Sequence, residues 1–373
     1  MPRFRSYIRR IKLATLTSTT PAAPGGSWAA QTLSYTMKRV NGRRLAGVQI
    51  ELVVTNGTTA PTYESGQTVA NILGEIRVKA SDYAGGSQRA VRRLSGTDLL
   101  YWNREMDQGI DRDLQALTIQ SGAVSTVYNP SLHLHLSHPL LDETVRHRSA
   151  LPLNAPGQNT GEGVAFVVEE PVLEVDIAAS STVYGANWVP KVDVVATLHE
   201  VEMPLNEPYV ADEVTAGDFT WSGSGRPTAY EYAQNGWLLS TLLQFKVSGT
   251  ASDAILSTSA DYFAFKLGKV EQEGWTVASL RSFNEQGRYA APAVIASATT
   301  LPNLNNPEGV VMRDWLFNTP SASGWEPNTV PSLYSANAGD RVMIEPTSLV
   351  ASCTTRFVNH RAFISDITRL TRV

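Results

Sequence analysis

The chain has 373 residues, is 42% apolar and carries a formal net charge of −4, an ordinary globular composition that excludes a disordered or collagen-like chain. Only 18% of residues are charged, below the roughly 25% usual for soluble domains, which suits a protein that buries much of its surface against partners. A sequence pI near 5.9 argues against general nucleic-acid binding, and the one cysteine, Cys353, excludes an intrachain disulfide and any cysteine-based zinc site.

Residues 1–13, "MPRFRSYIRRIKL", hold Arg3, Arg5, Arg9, Arg10 and Lys12 without an acid. Phe4, Tyr7, Ile8 and Ile11 recur at helical spacing, so the segment reads either as a short basic amphipathic helix or as an irregular basic tail. Such charge asymmetry marks a partner-binding element. The following "LATLTSTTPAAP" is too polar for the apolar core of a secretory signal, so synthesis and use in a cytoplasm are expected. "STTPAAPGGS" is a Pro/Gly/Ser tether, and residues 1–30 together form an arm and tether.

From residue 31 the texture is strand and turn: "QTLSYTMKRV", "RLAGVQIELVVT", "NILGEIRVKAS" and "QRAVRRLS". "LSGTDLLYWNREMDQ" departs from it. Ser95 and Asp98 make a capping-box-like start, and Leu99, Trp102 and Met106 share a helical face, which predicts a single helix of about three turns. Strands resume in "SLHLHLS", "GVAFVVEE", "VLEVDIA" and "NWVPKVDVVATLHEVEM". "PLNEPYVADEVTAGD", with two prolines and the acids Glu207, Asp212, Glu213 and Asp218, reads as the domain boundary. The same texture then begins again in "GWLLSTLLQFKVSG", "DYFAFKLGKV", "GVVMRDWLF", "DRVMIEP" and "TTRFVNHRAFISDITRL".

A faint repeat supports duplication. Tyr35 precedes Asn41-Gly42 and an apolar strand, and Tyr230 precedes Asn235-Gly236 and another; Asn-Gly is a strong hairpin signal because both residues accept positive φ. Strand-rich halves without βαβ alternation predict an all-β chain of two tandem jelly-roll β-sandwiches, residues 31–205 and 206–373, with one or a few short flanking helices.

The segment "HLHLSH" places His133, His135 and His138 within six residues. On a strand, Leu132, Leu134 and Leu136 face one way while His133, His135 and Ser137 face the other, so the histidines read as the outer face of an amphipathic strand. The spacing also loosely resembles the HxHxDH box of metallo-β-lactamase-type hydrolases, with Ser137 where that family has aspartate; a metal site at His133, His135 and His138 is the second reading. No nucleophile elbow, P-loop or dinucleotide fingerprint is present, and no cofactor is implied. Glu169, Glu170, Glu174 and Asp176 read as a solvated or interface edge, with calcium ligation the alternative. Trp221, Trp237, Trp275, Trp315 and Trp325 read as core or subunit-contact residues, with a carbohydrate platform the alternative.

The basic arm, the Pro/Gly tether, two tandem sandwiches, one helix after the fourth strand, low charge and a lone cysteine together resemble the double jelly-roll major capsid proteins of tailless, membrane-containing icosahedral phages of the tectivirus and corticovirus kind. "RRLSGTDLLYWNREM" is the most family-like segment. That resemblance implies a structural virion protein rather than an enzyme, without catalytic residues. It would form trimeric pseudo-hexagonal capsomers, with loops facing outward and the arm facing the interior. The partners implied are itself, neighbouring capsomers, other virion proteins such as a vertex protein, and an internal lipid membrane reached through the arm, with no specific nucleic-acid sequence. The implied location is the virion, after synthesis and assembly in the host cytoplasm. The competing readings are a carbohydrate-active or carbohydrate-binding β-sandwich and a metal-dependent hydrolase.

Overall fold

The computed structural model describes residues 8–12, 27–38, 40, 42–57, 62–64, 67–81, 88–106, 127–137, 147–153, 170–185, 190–202, 211–222, 227–233, 237–248, 250–252, 255–287, 309–315, 317–321, 324–327, 341–350 and 353–363. They fall into two compact units, one within Met1–Val210 and the other within Ala211–Val373.

The first unit contains β1 (Ile8–Lys12), β2 (Gln31–Thr36), β3 (Arg43–Thr55), β4 (Leu73–Ser81), β5 (Gln88–Leu94), α1 (Gly96–Met106), β6 (Val127–Tyr128), β7 (Ser131–His135), β8 (Leu151–Pro152), β9 (Val172–Ile177), α2 (Ser180–Val183) and β10 (Lys191–Glu202). One antiparallel sheet runs β1-β10-β3, with β6, β7 and β8 pairing along the far side of β3. The other runs β5-β4-β9-β2. Strands distant in sequence lie side by side, as Greek-key crossings require.

Alternation builds the core. In β3, Val48, Ile50, Leu52 and Val54 are buried, whereas Gln49, Glu51, Val53 and Thr55 are not; β9 shows the same period through Leu173, Val175 and Ile177. Fully burying each such side chain contributes about 1.5–3 kcal/mol.

The second unit contains β11 (Asp212–Trp221), β12 (Tyr230–Glu231), β13 (Trp237–Val247), β14 (Thr250–Ala251), β15 (Phe263–Leu267), β16 (Val270–Trp275), α3 (Val277–Gly287), β17 (Val310–Asp314), β18 (Phe317–Ser321), β19 (Gly324–Pro327), β20 (Val342–Pro346) and β21 (Cys353–Ala362). One sheet runs β11-β21-β13, with β14 and β17 beyond β13, and the second runs β12-β20-β15-β16. β18 and β19 form a separate hairpin. Aromatic rings join the two sheets: Phe245 of β13 stacks on Phe263 of β15 at 4.7 Å, and Tyr230 of β12 on Phe357 of β21 at 3.7 Å.

The halves share a plan. The residue after Gly42 begins β3 and the residue after Gly236 begins β13. Each is a long strand paired along its length with the strand that closes its unit, β10 or β21. Gly42 has a positive φ of 74°; Asn41, Asn235 and Gly236 lie outside the described residues.

The structure amends two expectations. Ile8–Lys12 is a strand rather than an amphipathic helix, because β10 offers it an open edge while a lone helix this short is marginal in water. The stretch "VADEVTAGD", expected as part of the boundary, is strand β11 from Asp212 onward. Helix α3 falls within the few short flanking helices expected beside the one read at residues 95–106; Thr276 and Ser279 cap its start reciprocally, each accepting the other's backbone N–H at 2.9 Å. The expected strand "GVAFVVEE" lies outside the described residues except for Glu170.

Helix α1 starts as the sequence suggests. The Ser95 N–H donates to the Asp98 carboxylate at 2.8 Å, and the Asp98 N–H donates to the Ser95 hydroxyl at 3.1 Å. Leu99 and Trp102 are buried, joined by Leu100 and Asn103; the Met106 side chain lies outside the described residues. Gly96 admits α1 close to the turn that leads into β4, since a Cβ there would stand 2.1 Å from the Ala70 carbonyl oxygen and 2.8 Å from the Leu73 Cβ. Gly96→Ala is therefore expected to destabilise the fold by about 1–3 kcal/mol, read as a lower urea midpoint with an unchanged slope.

Candidate functional site

The histidine strand β7 presents Leu132, Leu134 and Leu136 to the core, each no more than 1% exposed, while His133 and His135 are half-buried on the opposite face. In register, Gly47 of β3 stands between His135 of β7 and His199 of β10. The ring centroids of His133 and His135 are 6.1 Å apart, and those of His133 and His199 are also 6.1 Å apart. The structure thus brings His199 to the cluster from a strand far along the chain; His138 lies outside the described residues. Among the described residues no group of three or more His, Cys, Asp or Glu side chains has the spacing to hold a metal ion.

Side chains close the outer edge of β7. The Asn103 amide of α1 donates to the His133 carbonyl at 2.7 Å and accepts the His133 N–H at 2.9 Å, as a neighbouring strand would. Arg92 of β5, 2% exposed, donates from Nε to the His135 carbonyl at 3.0 Å. Sequence reasoning missed both residues; the available signal was a polar Asn103 beside Trp102 on the apolar face of α1.

The acidic run resolves into an ion lattice on β4, β5 and β9. Arg77 donates to Glu75 at 2.6 Å, to Glu174 at 2.9 Å and to Asp176 at 2.8 Å. Lys79 also reaches Glu174 at 2.6 Å, and Arg93 reaches Glu75 at 2.9 Å. The hydrogen bond from Lys79, together with that from Arg77, holds the Glu174 carboxyl below its usual range against the opposing effect of burial. For Glu75 burial acts upward, but the bonds from Arg93 and Arg77 outweigh it and lower its pKa. Glu174 and Asp176 are thus engaged by cations, which disfavours a calcium cage built on them. Glu169 lies outside the described residues.

The basic arm joins a sheet. Arg9, Arg10 and Lys12 stand in register across from Glu200, His199 and Thr197 of β10; Arg3 and Arg5 lie outside the described residues. Three of the acids expected at the boundary are paired along β11 and β21: Asp212 lies 2.7 Å from His360 Nε2 with both side chains buried, Glu213 meets Arg361, and Asp218 meets Arg356 at 3.1 Å; Glu207 lies outside the described residues.

Two of the tryptophans are core residues. Trp221 is fully buried and donates to the Thr355 hydroxyl at 2.7 Å. Trp315, 2% exposed, donates to Glu273 at 3.0 Å, and Arg313 grips the same carboxylate bidentately at 3.0 and 3.1 Å. Trp237 and Trp275 are half-buried, and the Trp325 side chain lies outside the described residues. Cys353 is buried, which pushes its thiol up to about 11.

No family model and no curated protein sequence matches the chain. Solved structures do. The crystal structure of the STIV major capsid protein aligns with a TM-score of 0.62 at 12% identity, covering 98% of this chain and 100% of that one. The fold is a double jelly roll. The major capsid protein of bacteriophage PM2 aligns at 0.55 with 9% identity, covering 97% and 99% of the two chains. The PBCV-1 virus capsid aligns at 0.58 with 10% identity, covering 96% and 95%. In this double jelly roll the histidine face, the ion lattice and strand β1 of the arm all belong to the first unit.

The lattice predicts an acid response. Because the folded-state pKa of Glu174 lies below the ordinary value of 4.5, its contribution is complete above that value and is lost as pH falls through the lower folded value. Glu174→Gln should be less stable than the parent at neutral pH by about 0.2–1 kcal/mol, with the gap closing below about pH 4. Parallel urea titrations check this, and a gap independent of pH would exclude the ionic origin.

Proposed function

We propose that the protein is a viral major capsid protein. The observation that carries this reading is coverage: both rolls, 98% of the chain, align with the whole of the STIV major capsid protein. A fold shared only in one sandwich would be compatible with many functions; a shared tandem arrangement over the full length narrows the choice. In this reading residues 31–205 form the first jelly roll and 206–373 the second. Three chains then supply a pseudo-hexagonal capsomer that tiles an icosahedral shell, and the low charged fraction suits the interfaces such tiling buries.

The virion is the proposed location, following synthesis in the host cytoplasm. Its partners are further copies of the chain, a vertex protein and an internal membrane of a tectivirus-like or corticovirus-like phage. Arg3, Arg5, Arg9, Arg10 and Lys12 are assigned to the arm that faces the interior. Lys and Arg near an anionic lipid surface gain about 1 kcal/mol each, and Phe4 and Tyr7 would add apolar insertion.

Size-exclusion chromatography with light scattering tests the assembly: a stable trimer is expected, and a monomer at working concentrations would remove the reading. Deleting residues 1–12 tests the arm. Since the deletion removes strand β1, the truncated protein should melt lower than the parent while retaining its fold. It should also lose binding to vesicles of anionic lipid that the intact protein shows at low salt and loses at high salt. Equal vesicle binding by the two proteins would contradict the membrane role.

A further inference from the structure

We propose that the outer face of the first unit, where β7, β3 and β10 run side by side, binds a phosphate-class oxyanion between His133, His135 and His199. The site goes beyond the capsid reading and does not depend on it.

Three rings gather around one glycine. β3 separates β7 from β10, with Gly47 opposite both His135 and His199 and Gln49 opposite both His133 and Thr197. His133 and His199 are thus two strands and two residues apart, about 12 Å between Cα positions in a regular sheet. Their ring centroids are only 6.1 Å apart, so the two side chains lean towards each other across β3. Gly47 leaves room for this. The three atoms nearest to where its Cβ would stand are backbone atoms of β7, at 3.1, 3.8 and 3.9 Å. The floor between the rings is therefore peptide backbone, and the walls are imidazole, with His135 completing them 6.1 Å from His133. All three histidines are half-buried, neither sealed in the core nor fully solvated.

The spacing suits an oxyanion. Nitrogens of rings at this separation fall about 4–6 Å apart, as two N–H donors do when each reaches a different oxygen of one tetrahedral anion at about 2.8 Å. Nitrogen ligands of one zinc ion would stand closer, at about 3.4 Å.

The bordering groups favour negative charge. On this face β3 carries the neutral Gln49; its acid, Glu51, stands opposite Ser131 and Val195, about 14 Å along the strand from Gly47. β10 adds Thr197, and its Glu200 is engaged by Arg43 at 3.1 Å. β1 brings Arg10 to the register position of His199 and Lys12 to that of Thr197. Helix α1 meets β7 through the Asn103 amide, with Asp98 engaged in the helix cap and Arg104 and Glu105 next along the chain, and β5 adds the Arg92 guanidinium. Imidazole ordinarily takes up its proton near pH 6.5, and rings this close repel one another once charged. A bound dianion relieves that repulsion, so anion binding and protonation reinforce each other.

Isothermal titration calorimetry with inorganic sulfate tests the site, because sulfate keeps its charge over the pH range used and the pH dependence then reports the protein. Saturable binding is expected at about pH 6, and about tenfold weaker binding at about pH 7.5. Inorganic phosphate should compete. His133→Gln and His199→Gln should each weaken sulfate binding about tenfold. The seal on β7 survives the first of these, since it uses the His133 backbone and not the ring. Gln49→Glu keeps all three rings and sets a carboxylate among them, so it should abolish binding; thermal melting verifies that each variant is folded. Vesicles of phosphatidylcholine with phosphatidic acid identify the source of the anion. Flotation at about pH 6 that sulfate displaces and Gln49→Glu removes assigns the site to a lipid headgroup; sulfate binding without such flotation assigns it to a free anion. Absence of saturable sulfate binding by the parent at about pH 6, or equal binding by the parent and a folded Gln49→Glu variant, overturns the site and leaves the capsid reading untouched.

Discussion

The pairing of each unit's long inner strand with the strand that closes that unit is the constraint on which the rest of the structure depends. β3 is held by β10 from Arg43 to Thr55, and β13 by β21 from Trp237 to Val247. Both pairings join residues far apart in sequence, so neither roll can form its central ladder until its last strand is available. Such topology folds slowly, because loop-closure entropy is lost before the contacts that compensate it are made. The same ladders fix which face is which: a slip of one residue between β3 and β10 would turn Val48, Ile50, Leu52 and Val54 to the outside. Bulges at His199/Glu200 and at Leu238/Ser240 interrupt the two ladders at one end; the extra residue is Ala46 of β3 in one and Leu239 of β13 in the other, so it is the inner strand that bends there.

With the inner ladders set, the structure is concerned with edges. Among the described residues an asparagine and an arginine, not another strand, seal the outer edge of β7, and β10 is covered by β1. β16 takes a third route: it is the border strand of its sheet, exposed along most of its length, and it carries Glu271 and Glu273. Charge on a border strand discourages indiscriminate pairing.

The electrostatic groups divide by burial. The Arg77 lattice lies on a partly exposed face, where individual ion pairs contribute little to stability and their value is in matching two strands side by side. The Arg313–Glu273 pair is more buried, and there desolvation offsets much of the attraction. Its carboxylate is shared with the Trp315 indole and its guanidinium lies 5.5 Å from that ring, so the pair positions β16 against β17 in a way an apolar contact would not. The main cohesion of the second roll comes instead from rings such as Trp221, Phe245, Phe263 and Phe357, all close to fully buried.

What the sequence determined alone is what short-range chemistry decides. Alternation in "SLHLHLS" separates the leucines from the histidines because successive side chains point to opposite faces of any strand. Ser95 and Asp98 announce the start of α1 because a capping box needs only three residues' reach. The repeated texture of the two halves was legible for the same reason, and with it the jelly-roll class. Other features required tertiary structure. His199 joins His133 only because β3 lies between their strands. Arg77 meets Glu174 and Asp176 only because β4 pairs with β9. The run after Val210 became strand β11 because β21 was there to pair with it, although its acids, following Pro204 and Pro208, read as a boundary. Ile8–Lys12 has the spacing of a helix and became a strand because the edge of β10 was open. Local pattern decides which way a side chain points; which strand lies beside it is decided by whichever edge the rest of the fold leaves unfilled.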